Sequence, residues 1–368
     1  MDTQIFKNCT VVELASVLAG PSVGMFLAEL GANVIKVEHP GTGGDVTRSW
    51  KLPGESDELA VSSYYHSINW GKKVVFWDVK KEQDKAKLTD VLKKADIVLV
   101  SFKPGDAKKL GLLPEDLFAI NSDLMYVSLT GFGADDPRTA YDALLQAETG
   151  FMYLNRKPGD EPLKMPVALI DILAAHHLKE LLLIAWIARR DTKESVLIET
   201  NLFDAAMASL ANQASSWLHA GISPEPRGSE HPHIYPYGSV FQCADGKQLV
   251  LAIGNNKQFK ILCDLLKSPD LAQNETYSKN EERSRNRKKL REKLRTVFQK
   301  VPSAEKFVEK AINAKLPVGL IRSVPEALEQ YEHQKRFFHT SDGEKAMPAL
   351  SGYINGKSPI KNLNRPQG

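Results

Sequence analysis

Through the first 133 residues, apolar positions come in short runs separated by segments in which they recur every three or four residues. The runs "TVVEL" (10–14), "NVIKVE" (33–38), "KKVVFWDV" (72–79), "ADIVLVSF" (95–102) and "LMYVSLTGFG" (124–133) read as strands. Between them, "AGPSVGMFLAELG" (19–31) reads as a helix, with Pro21 suited to its first position and Gly31 to its end. "KKEQDKAKLTDVLKK" (80–94) is amphipathic, with Leu88, Val91 and Leu92 on one side, and "PEDLFAIN" (114–121) is a short helix. Strand–helix alternation predicts an α/β, Rossmann-like parallel sheet with helices on its faces.

After Gly150 the pattern changes. A polar loop (155–164) leads into "MPVALIDILAAHHLKELLLIAWIARR" (165–190), an apolar segment that turns into an apolar helix. "SVLIETNLFDAAMASLANQASSWL" (195–218) predicts a strand and then one helix. "HPHIYPYGSVFQCADGKQLVLAIG" (231–254) predicts a β-hairpin turning at Ala244-Asp245-Gly246. Helices to about residue 312 and a strand–helix pair in "PVGLIRSVPEALEQ" (317–330) complete a smaller α+β domain. The expected organisation is a large domain over 1–205, a linker helix over 206–228, a small domain over 229–320, and a return segment over 321–368 that completes the large domain.

Composition narrows the function classes. The 42% apolar and 25% charged residues are those of a globular protein, and a net charge of +3 is close to balance. Nothing global favours nucleic acid or a membrane surface. The basic stretch 283–300 carries Leu290, Leu294, Val297 and Phe298 at helical spacing, so it reads as a packed helix whose basic residues are solvated. Cys9, Cys243 and Cys263 are scattered, form no metal or disulfide pattern, and read as buried thiols in a reducing cytosol. No uncharged run reaches membrane-spanning length, and the N-terminus lacks the layout of a secretion signal; a cytoplasmic location is expected.

Few residues stand out for chemistry. "PGTGGD" (40–45) has misspaced glycines for a dinucleotide fingerprint and reads as a flexible loop. The turn "VLAGPS" (17–22) offers backbone N–H groups at a helix start, where an anion fits. His176 and His177 lack partners at metal-ligating spacing, and no metal site is expected. Asp171 is a single acid inside an apolar segment, and a buried carboxylate is costly unless it is capped, paired or used. As a helix N-cap it is unexceptional; as a nucleophile at a helix N-terminus it is equally well placed. The pattern leaves both readings open.

Five blocks in order decide the family likeness. Residues 11–48 ("VVELASVLAGPSVGMFLAELGANVIKVEHPGTGGDVTR"), 95–133, 141–152 ("YDALLQAETGFM"), 166–192 ("PVALIDILAAHHLKELLLIAWIARRDT") and 231–259 resemble the class III CoA-transferases of CaiB/BaiF type, a family that includes formyl-CoA and carnitine CoA-transferases and α-methylacyl-CoA racemases. The likeness spans roughly residues 8 to 335. It implies an interlocked, ring-like homodimer that handles acyl-CoA and a small carboxylic acid, with coenzyme A as substrate and no other cofactor. It places Asp171 on the family's nucleophilic aspartate and Asp142 on an acidic position near it. Val17 and Leu18 fall on the adenine-side turn, and Arg189 on the arginine after the helix. His39, Lys72, Lys73, Phe102, Lys109, Leu110 and Arg138 fall on further CoA-binding positions. Lys72, Lys73 and Lys109 are expected at the phosphates, as point-charge partners.

The implied chemistry is CoA transfer through an aspartyl anhydride and an aspartyl-CoA thioester, with N–H groups near Ile172 and Leu173 helping to hold the oxyanion. Racemisation, thioester hydrolysis and a catalytically weak CoA-binding scaffold are the alternatives. Racemase relatives place His where this chain has Tyr141, which favours transfer. His39 and Ser101 replace the Arg and Asn of many relatives. "TKES" (192–195) lacks their glycines, and "RGSEHPHIYPYG" (227–238) stands where formyl-CoA transferases have a Gly-rich lid, which weakens any expectation of oxalate-type specificity.

Overall fold

The computed structural model describes residues 2–56, 59–333, 337–339, 344–360 and 363–367. Six strands form one parallel sheet: β1 (Thr10–Leu14), β2 (Asn33–Glu38), β3 (Lys73–Phe76), β4 (Ile97–Val100), β5 (Met125–Thr130) and β6 (Val196–Asn201), in the order β3-β2-β1-β4-β5-β6. Val12 of β1 is flanked by Ile35 and Val98, the register expected of a fully covered central strand. Chain order reverses between β1 and β4. In open α/β sheets a ligand crevice lies at such a switch point, beyond the C-terminal strand ends.

Helices α1 (Ala19–Glu29), α2 (Glu82–Leu92), α3 (Asp142–Glu148), α4 (Leu169–Ala188) and α5 (Leu202–Ser209) cover the sheet and one another. Pro21 is the third residue of α1 rather than its first, and Gly31 ends it at φ 104°. α4 buries two adjacent rows. Ile170, Ala174, Leu178 and Leu182 form an apolar one, while Asp171, Ala175 and Lys179 form one with an ionisable group at each end.

A charge network lies beneath the β1–α1 connection. Glu13, on the central strand, is fully buried between two lysines. Lys36 Nζ is 2.9 Å from Glu13 Oε1 and 3.1 Å from Asp45 Oδ2, and donates to Ala15 O at 2.6 Å. Lys72 Nζ is 2.8 Å from Glu13 Oε2 and donates to Asn69 Oδ1 at 2.9 Å and Pro21 O at 2.8 Å. Burial, partly offset by Glu13, pulls the Lys72 ammonium down to about 8. Gly24 of α1 lies over this pair; a Cβ there would stand 1.8 Å from Glu13 Oε2, so no larger residue fits without displacing the carboxylate. The loop 40–45, expected to be flexible, is tied to the same cluster: Asp45 N donates to Glu38 Oε2, and Gly44, at φ 94°, passes against that oxygen.

The chain divides into two units. One comprises Met1–Met152, Lys164–Ile222 and Arg336–Gly368; the other comprises Tyr153–Leu163 and Ser223–Lys335. The expected boundary at residue 205 cuts through α5. The expected single helix after β6 is two, broken at Ala211 with φ 46°, and both belong to the first unit. The return segment completes the first unit only after residue 335. There Leu363 enters the core, and Val74 N donates to Gln367 O at 2.6 Å.

The second unit carries the predicted hairpin, β7 (Tyr237–Gln242) and β8 (Gln248–Ala252), extended by β9 (Val318–Leu320). Helices α6 (Asn256–Leu265), α7 (Arg287–Phe298) and α8 (Ala304–Asn313) pack on it, and Leu290, Leu294 and Phe298 face the core as expected. Arg283 was expected in solvent but is fully buried. It donates to Tyr235 O, Tyr277 O and Asn256 Oδ1 and stacks over the Phe259 ring, so hydrogen bonds replace its water. All three cysteines are buried and free, and no described helix is long and apolar enough to cross a membrane.

The network makes a stability prediction. Lys72→Ala leaves Glu13 short of a counter-charge in a dry site and should cost about 3–5 kcal/mol in denaturant unfolding. The exposed neighbour variant Lys73→Ala should stay within about 0.5 kcal/mol of the parent.

Candidate active site

Two cavities open along the C-terminal edge of the sheet. The larger, 730 Å³, is framed by the ends of β1, β2 and β4, by His39 and Thr42 to Val46, and by Phe102 and Leu110. The smaller, 210 Å³, is framed by Ser16 to Gly20, Lys103, Leu129 to Gly131, Arg138 to Asp142 and Asp171. Ser16, Ser101 and Phe102 line both, so they form one crevice at the switch point.

The turn between β1 and α1 is the shared wall. Val17 adopts φ 71°, a conformation that a β-branched residue takes only when its surroundings impose it. The cause is Asp45: its carboxylate accepts from Val17 N at 3.3 Å and from Thr47 N at 3.0 Å, and is itself held by Lys36. No side chain caps α1, so the N–H groups of its first turn, at Ala19 and Gly20, border the cavity without a capping oxygen. Gly20 is required there, since a Cβ would meet the Ala15 Cβ at 2.6 Å.

Asp171 lies at the floor of the smaller cavity, 8% exposed. It is not the N-cap of α4, which is Ala168; it is the third residue of the helix. The capping is done from α3. Asp142 Oδ1 accepts from Ile170 N at 2.7 Å, and Asp142 Oδ2 accepts from Gln146 Nε2 at 2.7 Å. Gln146, buried, also takes Met165 N at 2.8 Å on its Oε1, clamping the segment that delivers Asp171. Burial, and then the charge of Asp142, push the Asp171 carboxyl up from 3.8 to about 7. Burial, then Asp171, push the hydroxyl of nearby Tyr64 up to about 12.

The residues expected at the site separate into two groups. Asp171, Asp142, Val17, Leu18, Phe102 and Arg138 line the smaller cavity, and His39, Phe102 and Leu110 line the larger. His39 Nε2 stands 3.3 Å from Asp78 Oδ1, and Arg138 pairs with Asp136 and Glu148. The lysines fall elsewhere. Lys72 is buried under α1 with its ammonium on Glu13, which removes it from any phosphate. Lys73 opens β3, at the end of the sheet away from the crevice. Lys109 is exposed and pairs with Asp106. Arg189 caps the far end of α4, eighteen residues and about 27 Å from Asp171. The proposed N–H donor at Ile172 is engaged with Ala168 O at 3.2 Å, so the helix start lining the cavity with uncapped N–H groups is that of α1, not α4.

Sequence reasoning missed Gln146, Asp45, Lys80 and Lys103. Gln146 lies one turn after Asp142, a helical spacing that could have flagged it; Asp45 gave no such signal. Lys80 and Lys103 are, among the described residues, the lysines that line the crevice.

Known proteins share this architecture. The family described as CoA-transferase family III matches residues 6–362. The succinate–glutarate CoA-transferase of Agrobacterium fabrum is 36% identical over 332 residues, covering 89% of this chain and 82% of that one. The acetyl-CoA:oxalate CoA-transferase of Acetobacter aceti is 32% identical, covering 95% and 90%. A crystal structure of a CaiB/BaiF family protein from Brucella suis superposes with a TM-score of 0.87 at 32% identity, covering 99% of this chain and 96% of that one. Matched over nearly its whole length in both sequence and fold, the chain belongs to CoA-transferase family III, the class III CoA-transferases.

Proposed function

We propose that the protein moves coenzyme A from an acyl-CoA donor to a small carboxylic acid, with Asp171 as covalent nucleophile. One observation carries the reading: a buried carboxyl with no ion pair among the described residues, pushed up to about 7, at the floor of a crevice on the switch point. The larger cavity is of a size for the nucleotide of CoA, with His39 and Lys80 at its rim. The pantetheine arm would pass Ser16, Ser101 and Phe102 to bring the thioester to Asp171. Lys103 and Arg138 at the smaller cavity suit the carboxylate of the acid.

In this scheme an Asp171 oxygen attacks the thioester carbonyl, the C–S bond breaks, and CoA leaves as thiolate from a mixed anhydride. The thiolate attacks the aspartyl carbonyl, giving aspartyl-CoA and the free donor acid. The acceptor carboxylate then expels CoA from Asp171, and the thiolate takes the acceptor acyl group, restoring the carboxylate. No net proton is consumed. Uncapped N–H groups at the start of α1 are the oxyanion donors in this reading. Asp142 is a positioning residue: it caps α4 and raises the affinity of Asp171 for a proton. The relatives' names make succinyl-CoA with glutarate, and acetyl-CoA with oxalate, the first pairs to assay. The family likeness supports an interlocked homodimer, and the three buried free thiols are consistent with a reducing cytoplasm.

Three outcomes test the reading. Asp171→Asn should lose turnover by about 10³-fold or more, since an amide cannot form the anhydride. In the wild type, acyl-CoA without acceptor should leave an adduct that hydroxylamine converts to a hydroxamate on the Asp171 peptide. An adduct on another residue in mass spectrometry would sink the assignment.

Second, kcat/KM should fall as pH drops through about 7, because protonation removes the nucleophile. Asp142→Asn keeps an oxygen for Ile170 N–H but removes the charge, so this limb should move to lower pH. An unmoved limb would mean that it does not report Asp171. Third, light scattering should give twice the chain mass at every concentration that retains activity.

A further inference from the structure

A third cavity, 240 Å³, lies in the same unit along the seam of α1 and α4, framed by Leu18, Met25, Ile68, Ile172, Ala175 and Lys179, with His176 and Met347 to Ala349 at its edge. Its lining is mostly apolar; the polar side chains are Lys179, His176, Ser22 and Ser67. The Lys179 side chain is more than nine-tenths buried, passes over the Phe26 ring at 5.3 Å, and has no hydrogen bond or ion pair among the described residues. Glu29 is the carboxylate whose charge acts on Lys179, with no direct ion pair between them, and its oxygens accept from Ala349 N at 2.6 Å and Leu350 N at 3.1 Å. Ser22 and Ser67 donate their hydroxyls to Leu18 O and Tyr64 O, so neither donates into the cavity. A mostly buried ammonium with no direct ion pair gains from a second counter-charge, and the cavity has room for one.

We propose that this cavity is a second carboxylate-binding site, in which Lys179 pairs with the head group of a short aliphatic carboxylic acid and Leu18, Met25, Ile68 and Ile172 hold its chain. The volume suits an acid of a few carbons and excludes a CoA ester. Its position bears on the catalytic crevice. Asp171 and Lys179 lie on one row of α4, about 12 Å apart, with Ala175 between them. Leu18 lines both this cavity and the smaller catalytic one. The site goes beyond CoA transfer itself: it gives an enzyme that releases free acids a place to bind one away from Asp171.

The test is calorimetric titration of the full-length protein with sodium butyrate at constant ionic strength. Wild type and Asp171→Asn should both show a saturable site, while Lys179→Met should bind at least about tenfold more weakly. Glu29 keeps both of its backbone donors in this variant, so the fold should stay intact. If Lys179→Met nevertheless fails to fold, Ala175→Leu keeps the charge, fills the cavity, and should lose binding in the same way. Transfer activity of Lys179→Met should stay within about twofold of wild type, whereas a parallel tenfold loss would place Lys179 in the catalytic machinery and overturn the proposal. Equal binding by wild type and both cavity variants, or no binding to wild type up to about 50 mM, would also overturn it. Because binding is read without turnover, failure of the transferase reading would leave this result standing, and the reverse.

Discussion

The pairing of Glu13 with Lys36 and Lys72 under the first strand–helix turn is the constraint on which the crevice depends. Glu13 lies mid-sheet, where no water can reach it, so both its oxygens must be met by cations arriving from β2 and from the segment before β3. Lys36 then draws in Asp45, and Asp45 holds the N–H of Val17 in a left-handed turn. Lys72 reaches Pro21 O, fixing the first turn of α1. Gly24 lets the helix descend onto the pair. The wall of the crevice is thus the outer surface of an ion network, and its strained turn is held by charge rather than by loop sequence. Such networks are poor sources of net stability but costly to break singly.

Asp171 shows the opposite arrangement, a buried carboxyl with no cation paired to it among the described residues. Its carboxyl titrates near 7 in the folded chain against 3.8 in a free one. The folded state therefore binds its proton more tightly. This group's contribution to stability is complete below about 4 and is lost as pH rises toward and beyond about 7. At neutral pH the site carries a folding cost, which is the expected mark of a functional group. A carboxylate poorly solvated and without a counter-ion is also a better nucleophile than one in a salt bridge, which ties the cost to the proposed chemistry.

α4 connects these themes. Its apolar row packs against the core, and the adjacent row places Asp171 and Lys179 at the seam with α1. The small residues Ala174 and Ala175 stand between the two ends, and Ala175 lines the cavity that holds Lys179. A helix uniform in hydrophobicity by composition thereby presents an acid to one cavity and an ammonium to another.

The sequence by itself determined the sheet, the hairpin and the position of Asp171. β2 matches its predicted span, and Leu290, Leu294 and Phe298 face inward as their spacing required. These are local properties: period, turn chemistry and an acid in an apolar run are all readable within a few residues. Lys72 and Arg283 were misjudged for one reason. A lysine or arginine is soluble by default, and whether it is buried depends on partners distant in sequence: Glu13, 59 residues from Lys72, and Tyr235 O, 48 residues from Arg283. Asp142 was legible as an acid near the site but not as the cap of α4, because its acceptor geometry exists only once α3 and α4 have packed. The counter-charges, the caps and the protonation of Asp171 belong to the tertiary structure, because burial and pair distance set them and neither is a property of one segment.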